Sequence, residues 1–510
     1  MTDEKTIIAA LLDSYRFILP EIVLGAFACV VYLGGTFRSN RHLWAGVSLL
    51  GLLAAGLALG LTWDARPASA AVFAAPITAD ALARLIKVVA LVGGVILLLF
   101  SWDELPERQA ADYHACLLII IAGACLTAAA NDLVVLFLAL ELISIPTYIM
   151  LYLPRHDTAA QEAAVKYFLL SVFSSALLLF GFSYLYGLAG TTNLPALFDT
   201  LHRTSQPDLP AVAQIAMILV VAGLGFRITA VPFHFYAPDV YQGTATVNAA
   251  LLAFVPKVAG FVALLRLLGF VVPAEVVAST HHLGQALSAQ VPILLWFLAA
   301  VTMFLGNMLA LLQDNLKRLL AYSSVAHAGY MLIALAVAPY LRSSHSQGVD
   351  GIEALLFYLV AYGAMTIGAF GVIAYLDSPQ RPVESVDDLG GLSRSHPGLA
   401  LLMVLFLFSL IGIPLTAGFT GKFLVFFGAM AVEGESYATL FRTLAVLGAI
   451  NAAIGAWYYL RIINVMYLRN PVKPPEPRRA WPVLVALWLC ALLTLGLSVG
   501  PGVQWLTQQT

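Results

Sequence analysis

Three side chains stand out because they carry charge where the surrounding sequence is greasy. Glu141 lies in LVVLFLALELISIPTYIMLYL, Lys257 in NAALLAFVPKVAGFVALLRLLGF, and Lys422 in GIPLTAGFTGKFLVFFGAM. A charged side chain near the centre of a bilayer costs about 2.5–3.5 kcal/mol on insertion scales and is seldom kept without a use. Carboxylates and amines at such depth can hold and release protons, so the chemistry these residues suggest is an ion or proton path. Glu141 is about 14 Å along its helix from the Asn131-Asp132 turn at 1.5 Å per residue, too deep to reach the surface. It needs a cation beside it or takes up a proton. Lys257, flanked by Pro256 and Gly260, and Lys422 are amines placed to exchange protons, one in each half of the chain.

Four further residues are candidates on weaker grounds. Lys166 follows QEAAV at the start of its helix, so it can either join the path or snorkel to water. Arg227 cannot lose its proton, so it can serve only as a fixed counter-charge. His327, in AYSSVAHAGYMLI, and His234, beside Pro232, carry imidazoles suited to a proton wire, although a hydrogen-bonded core histidine is the plainer reading. Tyr458, Tyr459 and Arg461 could close a second path. Asp314, Lys317 and Arg318 sit at a helix edge and read as a solvated face.

The elements that must position these residues are membrane-spanning helices. The 510 residues are 61% hydrophobic and 11% charged, less than half the charge of an ordinary soluble chain. Apolar runs at about 17–35, 43–62, 82–101, 113–130, 132–153, 161–187, 211–230, 245–272, 291–312, 317–339, 352–376, 399–430, 440–468 and 480–500 give roughly fourteen spans. No connection is long or polar enough for a soluble domain, and about ten residues follow the last span. The N-terminus is acidic with no cleavage-site pattern, so the expectation is that no signal peptide is removed and the first span directs insertion. Basic residues favour one side of the membrane by about twelve to six. That side is expected to be cytoplasmic, with both termini outside.

Two spans are interrupted alike. GLGFRITAVPFHFYAPD contains Pro232 and Pro238, and SLIGIPLTAGFTGKF contains Gly412, Pro414, Gly418 and Gly421. Both should be discontinuous helices. They are five helices apart and so cross in opposite directions, as inverted repeats would. The expected organisation is residues 1–112 (helices one to three), 113–272 and 291–470 (the two five-helix repeats), and 471–510 with the last helix. Cys29, Cys116, Cys125 and Cys490 are scattered, with no metal-type spacing, and read as buried structural thiols. No nucleotide loop is present, so no cofactor or metal is expected in this chain; a net charge of −2 favours no nucleic-acid partner.

The runs LPEIVL (19–24), ELISIPTYIMLYLP (141–154), AVKYFLLSVFSSALLLFG (164–181), FRITAVPFHFYAPDVYQG (226–243), VPKVAGF (255–261), NLKRLLAYSSVAHAGYML (315–332) and GIPLTAGFTGKF (412–423) resemble the antiporter-like subunits of respiratory complex I, the NADH–quinone oxidoreductase. The likeness spans nearly the whole chain. FHFYAPDVY resembles the N type more than the M or L types, and the L type's long lateral helix has no room after the last span. The resemblance implies an all-α membrane subunit whose central axis maps onto Glu141, Lys166, Arg227, Lys257 and Lys422. It also implies NADH, FMN, iron–sulfur clusters and quinone in partner subunits, with K-like and M-like membrane neighbours. The family usually has lysine at position 227, glutamate at 242 and prolines near 244 and 247, where this chain has Arg227, Gln242, Thr244 and Val247. The expected mechanism pairs Glu141 with Arg227 and Lys166, exchanges protons at Lys257, and passes charge through His327 to Lys422. A cation/proton exchanger and a structural membrane spacer are the alternatives.

Overall fold

The structure is a computed structural model describing residues 15–64, 75–155, 157–203, 209–271, 282–343, 350–378, 382–432, 435–470 and 480–498. Lys5, Arg66, Arg381, Lys473, Arg478 and Arg479, used in the charge tally, lie outside these residues, as do the extreme termini. The chain is all-helical. The helices that matter are α1 (Leu19–Phe37), α2 (Arg41–Leu61), α3 (Ala81–Ser101), α4 (Ala110–Ala129), α5 (Leu133–Tyr152), α6 (Thr158–Ala189), α7 (Leu209–Arg227), α8 (Ala237–Gly243) and α9 (Thr246–Val271) in the first part. They continue with α10 (His282–Leu311), α11 (Leu316–Ser343), α12 (Gly351–Leu376), α13 (Pro397–Ile411), α14 (Ala417–Ala431), α15 (Glu435–Leu468) and α16 (Trp481–Gly496). Eleven helices among the described residues are long and apolar enough to cross a membrane. The interrupted pairs and α16 supply the other passes of the expected fourteen.

Helix starts follow local chemistry. Asn40, Asp80, Asp132, Asp157 and Asp350 each stand just before a helix and accept a hydrogen bond from one of its first free backbone amides. Both predicted breaks are present. The first separates α7 from α8, with Thr229 at φ 59° between them; the second separates α13 from α14, with Gly412 at φ 91° and Leu415 at φ 72°. Gly418 is obligatory in the second break, because a methyl group there would collide with the Ser409 carbonyl.

A pair of matched backbone latches fixes the two halves. The amide of Leu133 donates to Thr192 O at 2.9 Å and that of Leu194 to Asn131 O at 3.0 Å. In the second half, Leu316 donates to Glu384 O at 2.7 Å and Val386 to Asp314 O at 3.0 Å. Each latch ties the start of one helix to the end of the next-but-one connection, and α5 and α11 leave their latches in the same register.

α9, α11 and α12 are almost wholly enclosed, whereas α1, α6, α10 and α15 present broad apolar faces outward. The core of the fold is therefore also where the buried charges gather. The thiols differ from expectation: Cys125 and Cys490 are buried and Cys116 partly so, but Cys29 is exposed on α1.

α3 is joined to its neighbours by two ion pairs that sequence reasoning did not single out. Lys87 Nζ lies 2.8 Å from Glu21 of α1 and donates to Phe17 O at 2.6 Å, all three residues being buried. At the start of α3, Asp80 binds Arg266 of α9 through two hydrogen bonds of 2.5 and 2.7 Å. Burial alone would raise the Asp80 carboxyl; its bonds to Arg266 and to the Ala83 amide, with Arg84 nearby, outweigh that and hold it below the ordinary 3.8.

Candidate proton path

The first break builds a fixed charge pair. Arg227, the last residue of α7, is buried and reaches Glu141 of α5 at 3.1 Å. Its other donors bind Ser144 Oγ at 2.7 Å and Leu140 O at 3.1 Å. Ser175 of α6 donates to the same Glu141 oxygen at 2.6 Å. The expected Glu141–Arg227 pairing is thus present, with two serines completing it.

Lys257 is wholly enclosed on α9. Its ammonium finds three oxygens: Thr229 Oγ1 at 2.6 Å, Ser324 O at 2.6 Å and Ile228 O at 3.3 Å. Two come from the unwound turn after α7 and one from α11, so residues of both halves hold this amine. The Tyr362 ring lies 5.8 Å away, and its hydroxyl donates to Ser324 Oγ at 2.7 Å. No carboxylate among the described residues pairs with Lys257.

One turn along α11, His327 joins α12 and α15. Its Nδ1 is 2.6 Å from the Tyr358 hydroxyl and its Nε2 3.1 Å from that of Tyr459, which in turn contacts Ser323. Lys422, in the second turn of α14, donates to Leu410 O at 2.8 Å and Ile411 O at 2.9 Å, and its ammonium stands 4.9 Å over the Tyr330 ring. The Tyr330 ring is 5.6 Å from His327. Tyr458 reaches the same place through Asn307, which bonds Tyr330 at 3.2 Å and accepts from Tyr458 at 3.1 Å.

Other candidates fall elsewhere. Lys166 does not pair with Glu141; it binds Glu162 at 2.5 Å and Asp239 of α8 at 2.7 Å, because its side chain lies near the mouth of α6. Arg318 shares Asp239 at 2.6 Å and Lys317, nearly buried, donates to Thr244 O at 2.8 Å. The solvated-face reading therefore holds only for Asp314, which pairs with Arg461 at the exposed end of α15 and takes that arginine off the path. His234 is partly buried with its ring 6.5 Å from Tyr322, its Nδ1 unbonded among the described residues, and does not meet the other candidates. Sequence reasoning passed over Ser144, Ser175, Ser324, Tyr358 and Tyr362. The serines lie in runs already quoted, but a neutral hydroxyl in an apolar helix gives no signal until its partner is known. No group of three metal-ligating side chains occurs among the described residues.

A sequence model described as NADH:quinone oxidoreductase/Mrp antiporter membrane domain matches residues 130–448. The chain belongs to that family. NADH-quinone oxidoreductase subunit N 1 of Solibacter usitatus is 37% identical over 96% of this chain and 95% of its own length. Among solved structures, a chain of respiratory complex I from Thermus thermophilus with bound aureothin is 30% identical, with a TM-score of 0.75 over 95% of this chain and 97% of that one. A chain of the Mrp complex from Dietzia sp. DQ12-45-1b shares the fold, with a TM-score of 0.76 at 23% identity. The matched segment contains every candidate charge from Glu141 to Lys422, and leaves α1 to α4, the end of α15 and α16 outside it.

Proposed function

We propose that this chain is the proton-translocating N-type membrane subunit of an NADH–quinone oxidoreductase. The observation that carries the reading is Lys257, an enclosed amine held by oxygens of both halves of the chain, with Glu141–Arg227 on one side and His327 and Lys422 on the other. In this reading the redox groups (NADH, FMN, iron–sulfur clusters and quinone) belong to partner subunits, and K-like and M-like subunits flank the chain in the cytoplasmic membrane. Both termini face outward, and the repeats run from 113 to 272 and from 291 to 470.

The mechanism is electrostatic. A signal from the quinone side alters the Glu141–Arg227 pair, whose charge acts on Lys257 across the unwound turn at Ile228 and Thr229. Lys257 releases its proton toward the tyrosine-flanked His327 and on to Lys422. Arg227 stays charged throughout and supplies field rather than protons. Lys166 acts on the path through Asp239 and α8. Moving one charge across 100 mV takes about 2.3 kcal/mol.

The test is Lys257→Ala in the native membrane, following donor-driven quinone reduction and proton uptake into inverted vesicles, with assembly checked. Loss of coupled proton uptake in an assembled complex is expected. Full activity would reduce Lys257 to a structural charge, and sodium-dependent exchange without any redox dependence would favour a cation/proton exchanger.

A further inference from the structure

An ammonium carries three donors and no acceptor, whereas the amine left after proton loss carries two donors and one lone pair. Lys257 has three oxygens for its three donors: Thr229 Oγ1 at 2.6 Å, Ser324 O at 2.6 Å and Ile228 O at 3.3 Å. Ser324 O and Ile228 O are carbonyls and can only accept. Thr229 brings a hydroxyl, which itself donates to Ile228 O at 2.6 Å. Ile228, Thr229, Lys257 and Ser324 are all buried. A donor or lone pair stranded there by a change of charge would stay unmet, at the cost of its desolvation.

The backbone around this hydroxyl is pinned. α9 brings Gly260 so close to the turn that a methyl group there would collide with Ile228, and the Val231 amide donates to Thr302 Oγ1 of α10 at 3.1 Å. Thr229 itself sits at φ 59°, a left-handed conformation that suits glycine and penalises a β-branched side chain. What the position gains over an unstrained glycine is a hydroxyl against Nζ.

We propose that Thr229 serves Lys257 in both of its charge states, as acceptor to the ammonium and as donor to the amine. When Lys257 gives up a proton toward His327, its two remaining N–H groups keep Ser324 O and Ile228 O. The new lone pair turns to Thr229, whose O–H swings from Ile228 O to Nζ. The threonine keeps its own proton throughout, and no donor among these four groups is stranded in either state. Uptake of the next proton by Lys257 reverses the swing. Rotation of one hydroxyl thus stands in for movement of a pinned backbone. This rests on the proton-relay reading and names the group that lets the enclosed amine lose its charge.

The experiment compares Thr229→Val, Thr229→Gly and Thr229→Ser in the assembled complex, measuring proton uptake and quinone reduction across a range of quinone concentrations. Thr229→Val keeps the branched shape, Thr229→Gly suits the left-handed turn, and both lack the hydroxyl. We expect each to lower maximal coupled uptake about tenfold, or about 1.4 kcal/mol of barrier, with the quinone KM unchanged. Thr229→Ser, which keeps the hydroxyl, should recover most of the rate. A role confined to the backbone predicts instead that Thr229→Gly pumps at least as well as Thr229→Ser. If Thr229→Val does not assemble, Thr229→Gly against Thr229→Ser carries the test. Unaltered uptake in assembled Thr229→Val or Thr229→Gly overturns the proposal, and so does failure of Thr229→Ser to recover. If the first two variants are silent while Lys257→Ala abolishes pumping, only the hydroxyl switch falls. If Lys257→Ala is itself silent, the relay falls with it.

Discussion

The two broken helices solve one problem with different parts. In each, a lysine ammonium rests on backbone carbonyls freed where the first half-helix ends, the end at which aligned peptide dipoles favour a cation. In the second break, Lys422 comes from the other half of the same broken helix and sits on Leu410 O and Ile411 O. In the first, the lysine on Ile228 O is Lys257 from the neighbouring helix α9, and the broken helix contributes Arg227, which turns away to Glu141. The latches make the halves comparable residue by residue. Glu141 is eight residues beyond Leu133, and Ser324 is eight beyond Leu316; Ser144 and His327 each stand three residues further on. Where the first half has a carboxylate and a serine, the second has a serine and a histidine. The first half is therefore organised around an ion pair whose arginine stays charged, and the second around neutral donors and acceptors that can reverse their roles. A fixed pair can bias an equilibrium, whereas a reversible hydrogen-bonded chain can conduct.

The sharpest way to break this contrast is Arg227→Gln. It strands Glu141 beside Ser175 at a cost of about 3–5 kcal/mol, and native gels should show loss of the assembled complex. Adding Glu141→Gln should restore assembly without pumping, and Arg227→Lys should retain most of both. Full pumping by Arg227→Gln would end the counter-charge account. Lys422→Met strands no carboxylate among the described residues, so the complex should assemble normally yet lose coupled proton uptake in vesicles. Equal loss of assembly in both variants would erase the distinction between the halves. Tyr459→Phe removes one hydroxyl from the His327 chain and should slow uptake about tenfold, leaving Glu141-dependent assembly intact; this is read from uptake rates against native-gel yield. Asp239→Asn acts on a partly exposed cluster, where a pair is worth about 0–1 kcal/mol. Thermal unfolding should move little, and less still at high salt. The Asp80–Arg266 clamp lies outside both breaks and serves as a control. Because its carboxyl is held below the ordinary 3.8, its stabilisation is present at neutral pH and fades as pH falls through the folded-state value. Asp80→Asn should flatten that acid limb and leave pumping at neutral pH unchanged.

Much of this arrangement was legible in the sequence because burial of charge is a loud signal. Glu141, Lys257 and Lys422 are conspicuous in apolar runs, and Pro232, Pro238, Gly412 and Pro414 mark both interruptions. The Glu141–Arg227 pair followed from the need of a buried carboxylate for a cation. The expected Glu141–Lys166 pairing is absent because depth along a helix says nothing about which face a side chain takes, and Lys166 meets Asp239 instead. Lys317 looked solvated from its place at a helix start, but α8 and the Thr244 carbonyl fold over it. Glu21 and Lys87 were passed over for the opposite reason: each is close enough to a helix end to look interfacial, and only their ion pair between α1 and α3 shows them buried together. Ser324 was out of reach of any pattern, since what it offers Lys257 is a backbone carbonyl.

The shared custody of Lys257 bears on how the polypeptide could be divided. Its acceptors come from α11 as well as the turn after α7, while Lys317 and Arg318 of α11 lean on Thr244 and Asp239 around α8. A gene split between α9 and α10 would give two products, each with an unfinished site, and neither would conduct alone. Co-expression would recover function only by complementation, in a pair whose members finish each other's sites.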